Sequence, residues 1–164
     1  MARLGARVPA RRILGLHPGA ILAVLDTIGL AIASYLSIVE LSGGVPVCPA
    51  EGVGSGCAAV ALSEYSKIGG LPVAVYGVGL SLILLTLALV WWRTDIYALL
   101  MLHYGLSLAG VLFEIYFLYL QVAVIKAVCI WCTSYGLSLI ARFVIALIIW
   151  LRQPGPPEDE ALAA

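Results

Sequence analysis

Four apolar runs, each long enough to cross a bilayer as a helix, dominate this chain and leave little else to fold. They cover residues 20–41, 71–92, 96–120 and 127–151. At about 1.5 Å per residue, some twenty apolar residues span the ~30 Å hydrocarbon core. In lipid the backbone has no water to bond, so a spanning segment meets its own N–H and C=O groups by coiling into a helix. Hydrophobic residues make up 63% of the 164 and charged residues only 11%, a balance outside that of soluble domains. The expected fold is an all-α membrane protein. It is a four-transmembrane-helix bundle over residues 20–151, with an outer loop and a short interfacial helix, between a basic N-terminus at 1–19 and a tail at 152–164. That tail, "QPGPPEDEALAA" after Arg152, joins prolines to three consecutive acids, a composition that forms no packed core and is expected to be disordered. No repeat of solenoid period runs through the chain.

Nine basic and nine acidic residues cancel in the total, and nothing points to nucleic acid. Their placement is informative. Arg3, Arg7, Arg11 and Arg12 precede the first run, Arg93 lies between the second and third, and Arg152 follows the fourth, whereas the other side carries Lys67 and Lys126. The positive-inside rule then puts both termini and the turn 93–95 in the cytoplasm. The loop 42–70 and the connection before Cys129 face outward, so all four cysteines fall at or near the outer face, where disulfides form. "AIAS" around Ala33 offers a signal-cleavage pattern, but the run around it is longer than a signal core, so it is read as a retained helix.

Small residues at helical spacing, Gly77 with Ser81 and Gly105 with Ala109, are expected to let neighbouring helices approach closely. The outer loop opens with the Gly- and Pro-rich "SGGVPVCPAEGVGSGC" and continues as "CAAVALSEYSKIGGLP". The second stretch suits a helix of roughly ten residues that starts near Cys57, too short to span, and "GGLP" stops it ahead of Pro72. It is expected to roof the bundle at the outer interface.

The chemistry rests on the cysteines. "AVCIWCTSYG" places Cys129 and Cys132 in a C-x-x-C pair at the start of the fourth run. Unpaired N–H groups and the positive dipole end of a helix start favour a thiolate there, lowering a thiol pKa. Cys48 and Cys57 form a second pair separated by eight loop residues, enough slack to change partners. One fixed pair and one mobile pair suit an electron relay. Other readings are open at this point: structural disulfides stapling the loop to the bundle, a zinc site of four cysteines, or inert buried thiols.

In order, the chain carries loop Cys48, loop Cys57, Ser63 six residues on within "LSEYSKIGGLPVAVYGVG", then "CIWC" opening the last helix. This pattern resembles the vitamin K epoxide reductase family, over nearly all of 20–151. Prokaryotic members of that family link disulfide formation to quinone reduction. A second family of four-helix, quinone-linked thiol oxidases carries its C-x-x-C in the first outer loop, the reverse of the order here. Many prokaryotic relatives also carry a fused thioredoxin-like domain, whereas a short acidic tail follows here, so the expected redox partner is a separate thioredoxin-like protein outside the cytoplasm.

The resemblance implies that Cys132 faces a quinone such as ubiquinone or menaquinone, that Cys129 exchanges disulfides with the loop pair, and that Cys48 and Cys57 take electrons from the partner. It also implies that Ser63 lies near the quinone, bonding a ring oxygen or steadying the short helix; a plain local backbone bond is the competing reading. Tyr135 approximately matches the family tyrosine beyond the C-x-x-C. No metal is expected. The alternative from another class is a non-enzymatic, disulfide-stapled assembly subunit.

Ionisable groups inside spans are costly and often functional. Asp26, His103, Glu114 and Arg142 are the candidates. A structural pair such as Asp26 with Arg142 is favoured over a catalytic role for them. Glu114, nearer the outer end of its helix, can relay a proton to a reduced quinone, against the favoured reading of a paired or protonated carboxyl in the bundle. Trp131, Tyr65, Tyr76, Tyr116 and Phe113 are the aromatic residues placed to wall a flat apolar pocket.

Overall fold

The computed structural model describes residues 16–48 and 56–152. The N-terminal arginines, loop residues 49–55 and the tail from 153 lie outside the described residues. Four helices long and apolar enough to cross a membrane are present among the described residues. They are α1 (Pro18–Leu41), α3 (Val73–Thr94), α4 (Tyr97–Tyr119) and α5 (Ile130–Arg152), and α2 (Cys57–Ala61) is a short helix in the loop. α1 packs on α3, α3 on α4, α4 on α5, and α5 closes back on α1. Large apolar side chains such as Val24, Ile28, Leu82, Ile83, Leu112 and Leu137 point outward uncovered, which suits lipid and not water. This is a multi-pass membrane protein.

Helix ends follow local chemistry. Pro18 opens α1, where its missing N–H is no loss, and the His17 ring Nδ1 accepts from the Gly19 N–H at 3.1 Å. At the same end of the bundle, Asp95 closes α3 in the left-handed conformation (φ 53°) and its Oδ1 lies 3.3 Å from His17 Nε2. An apolar core fills this half: Leu22, Ala88, Trp91, Leu100, Ala146 and Ile149 are buried together.

The middle layer is polar. Asp26, His103 and Arg142 are buried on α1, α4 and α5. Asp26 Oδ2 lies 3.1 Å from His103 Nε2, and Asp26 Oδ1 lies 3.5 Å from Arg142 Nη1. The guanidinium also donates to Ser138 Oγ (2.7 Å), the Ser138 carbonyl (3.2 Å) and Ser81 Oγ (3.4 Å). The Asp26 and Arg142 pair expected from the sequence is formed, and His103 joins it. Gly29 makes the room: a Cβ there would overlap the Arg142 guanidinium.

Three expectations need correction. The short helix has five residues, not about ten. Ser63 Oγ donates to the Val60 carbonyl (2.7 Å) and Ser66 Oγ to the Ser63 carbonyl (2.8 Å). Serines bonding back to the chain in this way compete with helix propagation, and a single 3-10 turn, Glu64–Ser66, follows instead. A two-strand hairpin, β1 (Lys67–Ile68) with β2 (Leu71–Pro72), then leads into α3. Gly69 and Gly70 turn it at φ 60° and 85°, the double positive φ that a tight hairpin turn demands.

The small-residue stripe is only half right. Gly77 and Ser81 meet α5 at Tyr135, but Gly105 faces open space and Ala109 lines a cavity. The close approach of α4 is at Gly110, where a Cβ would lie 2.9 Å from Leu80 Cδ2 and 3.1 Å from Leu139 Cδ2. The last helix begins at Ile130, not 127. Ahead of it, α4 widens into a π-helical segment, Leu120–Ile125, and Lys126 takes the left-handed conformation at φ 56°. That bend, together with the Ala127 N–H bonded to the Gln121 carbonyl at 3.0 Å, keeps 127–129 out of the helix.

Candidate active site

The C-x-x-C pair sits where two surfaces meet. Cys129 immediately precedes α5, and the Cys132 N–H, in the first turn, donates to Cys129 Sγ at 3.4 Å. This is a helix cap built on sulfur, filling one of the N–H positions a helix start leaves open. The Cys129 carbonyl takes up the Thr133 N–H and hydroxyl, each at 3.0 Å. Gln121 fixes the residue from the other side: its side-chain carbonyl Oε1 accepts the Cys129 N–H at 2.8 Å, in a buried position. The hydrogen bond from the Cys132 thiol, aided by the N–H groups of Cys132 and Trp131, brings the Cys129 thiol down to about 7, against the opposing effects of burial and of Glu40. The sulfur poised as a thiolate is thus the buried one.

Cys48 and Cys57 form a disulfide, while Cys129 and Cys132 are thiols. The two loop sulfurs are bonded to each other, so the four do not gather as one zinc tetrahedron. One end of the loop pair is pinned against "CIWC" and the other against the two residues just before it. The Trp131 indole N–H donates to the Val47 carbonyl at 2.9 Å, and its ring packs on Tyr35 with centroids 4.7 Å apart. The Tyr35 hydroxyl accepts the Val47 N–H at 3.3 Å. On the other side, Gly56 lies so close that a Cβ would fall 2.6 Å from Ala127 Cβ and 2.8 Å from the Val128 N. The residues just before Cys48 and Cys57 therefore rest on the segment that carries Cys129.

Cys132 opens instead onto a cavity of about 330 Å³ between α1, α3, α4 and α5, roofed by the loop residues Val60 to Ser66. The size falls within the range of small-molecule sites. Its walls are largely apolar, with Ala33, Leu36, Leu80, Leu106, Phe117 and Leu139 among them. Tyr65, Tyr76 and Phe113 line it as expected, whereas Trp131 turns to the loop and Tyr116 is exposed on the outside of α4, edge-on to Phe117.

Both further residues named from the sequence lie on this wall. Ser63 lines the cavity, but its hydroxyl proton is directed to Val60, so it offers the cavity an acceptor. Tyr135 lines it with its ring, and its hydroxyl donates to the Gly77 carbonyl at 3.0 Å and meets Ser81 Oγ at 3.3 Å. Arg142 stands 5.5 Å from that ring's centroid. Glu40, Glu114 and Gln121 also face the cavity. Gln121 escaped the sequence reading, although it is the single amide in the apolar stretch "FLYLQVAVI", where an uncharged polar residue signals a buried partner.

A family model for the vitamin K epoxide reductase family matches residues 20–147. The match takes in the four cysteines, the cavity walls and nearly the full length of the bundle. A reduced C-x-x-C at the mouth of an apolar cavity, with a disulfide pinned beside it, is the arrangement a thiol relay requires. The chain belongs to the vitamin K epoxide reductase family, and is a membrane oxidoreductase.

Proposed function

We propose that this protein is a membrane thiol oxidase that draws electrons from a thioredoxin-like protein outside the cytoplasm and passes them through Cys48/Cys57 and Cys129/Cys132 to a quinone. The observation that carries this reading is the setting of "CIWC": Cys132 lines the apolar cavity, while the loop that holds the Cys48–Cys57 disulfide rests Gly56 on Ala127 and Val128, the residues just before Cys129. Ubiquinone and menaquinone suit the cavity because their rings are flat and apolar, with two oxygens for the few polar groups on the wall. The arginines at the two ends and at Arg93 support a placement with both termini cytoplasmic and the cysteines outside. The basic stretch 1–19 and the tail from 152 flank one membrane domain in this reading.

In the relay, the partner's thiols reduce Cys48–Cys57, and a loop thiolate then attacks the Cys129 sulfur of an oxidised Cys129–Cys132 pair, breaking that bond and releasing Cys132, which takes up a proton as the thiol. Gly56, seated on Ala127 and Val128, favours Cys57 as that attacker. Cys48 resolves the mixed disulfide, and Cys129 departs as a thiolate. A leaving thiol with a lowered pKa departs faster, which is what its position at about 7 provides. Cys132 then meets the quinone, and Cys129 closes on Cys132 as the disulfide re-forms. Two thiols become one disulfide, and the quinone gains two electrons and two protons. An oxidised loop pair beside a reduced C-x-x-C is the state ready for this last step.

Purified protein mixed with a reduced thioredoxin-like protein and ubiquinone or menaquinone is expected to reduce the quinone, and any single cysteine replaced by Ala to halt turnover. No turnover with either quinone, and disulfides that resist exchange with the partner, would instead match a stapled assembly subunit.

A further inference from the structure

Quinone reduction needs protons delivered inside an apolar cavity, and the structure narrows where they come from. Most hydroxyl groups on the wall are already committed as donors. Tyr135 donates to the Gly77 carbonyl, Tyr76 to the Ile68 carbonyl at 3.0 Å, Ser63 to Val60 and Ser66 to Ser63. Tyr65 belongs to the 3-10 turn of the loop roof and is 42% exposed, on the solvent side of the cavity and not between the spanning helices. Two carboxyl groups remain, Glu40 and Glu114. Glu40 belongs to the last turn of α1, at the rim.

Glu114 lies within α4, and among the described residues it has no hydrogen-bond or ion-pair partner. Its position is set by Gly136 of α5, where a Cβ would fall 2.5 Å from both Glu114 Cγ and Oε1. Gly136 is four residues beyond Cys132, hence one turn along the same helix face, a spacing of roughly 5–6 Å between such positions. The missing side chain at 136 thus lets the carboxyl lie against the α5 face that carries Cys132, with both groups opening on one cavity. An unpartnered carboxyl in an apolar pocket is costly, and no structural partner accounts for this one.

We propose that Glu114 is the proton carrier of the quinone step: its carboxylate takes the proton from the Cys132 thiol and hands it to the quinone oxygen. The assignment rests on the functional reading above and completes its balance. Both S–H bonds break, the Cys129–Cys132 S–S bond forms, two electrons enter the quinone ring, and each of its oxygens gains one proton. One proton travels from Cys132 through Glu114. Cys129 releases the other to water, and the second oxygen takes its proton from water at the cavity mouth.

The test is single-turnover quinone reduction by the full-length protein, with the C-x-x-C pre-reduced, across a pH series in wild type, Glu114→Gln and Glu114→Asp. The titratable groups facing Glu114 are Cys132 and Tyr135 from α5, Cys129 before it, Glu40 from α1, Tyr76 from α3 and Tyr65 from the roof. Two groups must shed protons before electrons move, Cys129 and Glu114, so the wild-type rate falls on the acid side as both protonate. In Glu114→Gln the rate is expected to drop about 100-fold, within the usual range for a lost acid–base group, with the KM for quinone little changed. Its acid limb becomes shallower, leaving the Cys129 titration alone. Glu114→Asp restores part of the rate and the steeper limb, and it carries the test if the Gln variant does not fold. Without quinone, the carboxyl infrared band that Glu114→Gln removes should titrate with the same midpoint as the missing limb. Wild-type turnover matched by Glu114→Gln in rate and pH profile would overturn the role of Glu114 alone. Wild-type protein inert toward every quinone would overturn the functional reading and this assignment with it.

Discussion

At the scale of single residues, the two sulfurs of "CIWC" differ because one caps a helix and the other lines a cavity. Cys129 gathers donors: the Cys132 N–H at 3.4 Å and, with greater effect on its titration, the Cys132 thiol. In protein whose loop pair is kept as its disulfide, thiolate absorbance of reduced "CIWC" is expected to rise with pH around a midpoint of about 7. Removing the largest cause, by Cys132→Ala, should move that midpoint up toward the ordinary thiol value near 8.5. An unmoved midpoint would show that the cap N–H alone sets it. The candidate pair was legible in the sequence, since C-x-x-C spacing at a helix start carries its own chemistry. Which sulfur is buried was not, because that depends on Gln121 holding the Cys129 N–H at 2.8 Å from a different helix. Ser63 and Tyr135 were found on the cavity wall by their place in the family pattern; the local bond of Ser63 to the Val60 carbonyl was among the readings the sequence offered, whereas the partners of Tyr135, the Gly77 carbonyl and Ser81, are tertiary and had no sequence signal.

At the scale of elements, α1 and α5 are joined by charge in a layer where lipid-like packing would otherwise be the rule. Arg142 reaches Asp26, Ser81 and Ser138 through a gap that Gly29 leaves open. Removing one member of a buried pair strands the other, so Arg142→Leu is expected to cost about 3–5 kcal/mol. The double variant Asp26→Asn with Arg142→Leu should cost less than the two single variants summed, as contacting residues do, when unfolding is followed in mixed micelles. Strict additivity would show that the pair is not coupled. The four spans were readable to within a few residues at most ends because hydropathy and bilayer thickness set them. The roof was misjudged because Ser63 and Ser66 bond back to the chain and cut the helix at Ala61. The π-helical turn before Lys126 was invisible, as no residue type marks it; it matters because it turns the connection so that Gln121 meets Cys129.

At the scale of the molecule, a solid apolar core at one end and a cavity at the other make the bundle asymmetric along the membrane normal, and all four cysteines lie at the cavity end. Under the proposed orientation, a membrane-impermeant thiol reagent applied to intact, reduced cells labels the loop cysteines. Labelling only after permeabilisation would reverse the orientation and remove the oxidative role. The sequence set the membrane class and the order of the cysteine pairs, while the cavity emerges only when α4 and α5 are brought together around Gly110 and Gly136. The central claim is that electrons leave through Cys132 while Cys129 faces the loop, and absorbance of two variants mixed with quinone tests it most directly. In Cys129→Ala, the unresolved Cys132 thiolate is expected to produce a new charge-transfer or adduct band. In Cys132→Ala that band is absent, while a disulfide between Cys129 and a loop cysteine, Cys57 by preference, still forms and can be mapped by mass. The band in Cys132→Ala and its absence in Cys129→Ala would contradict the account.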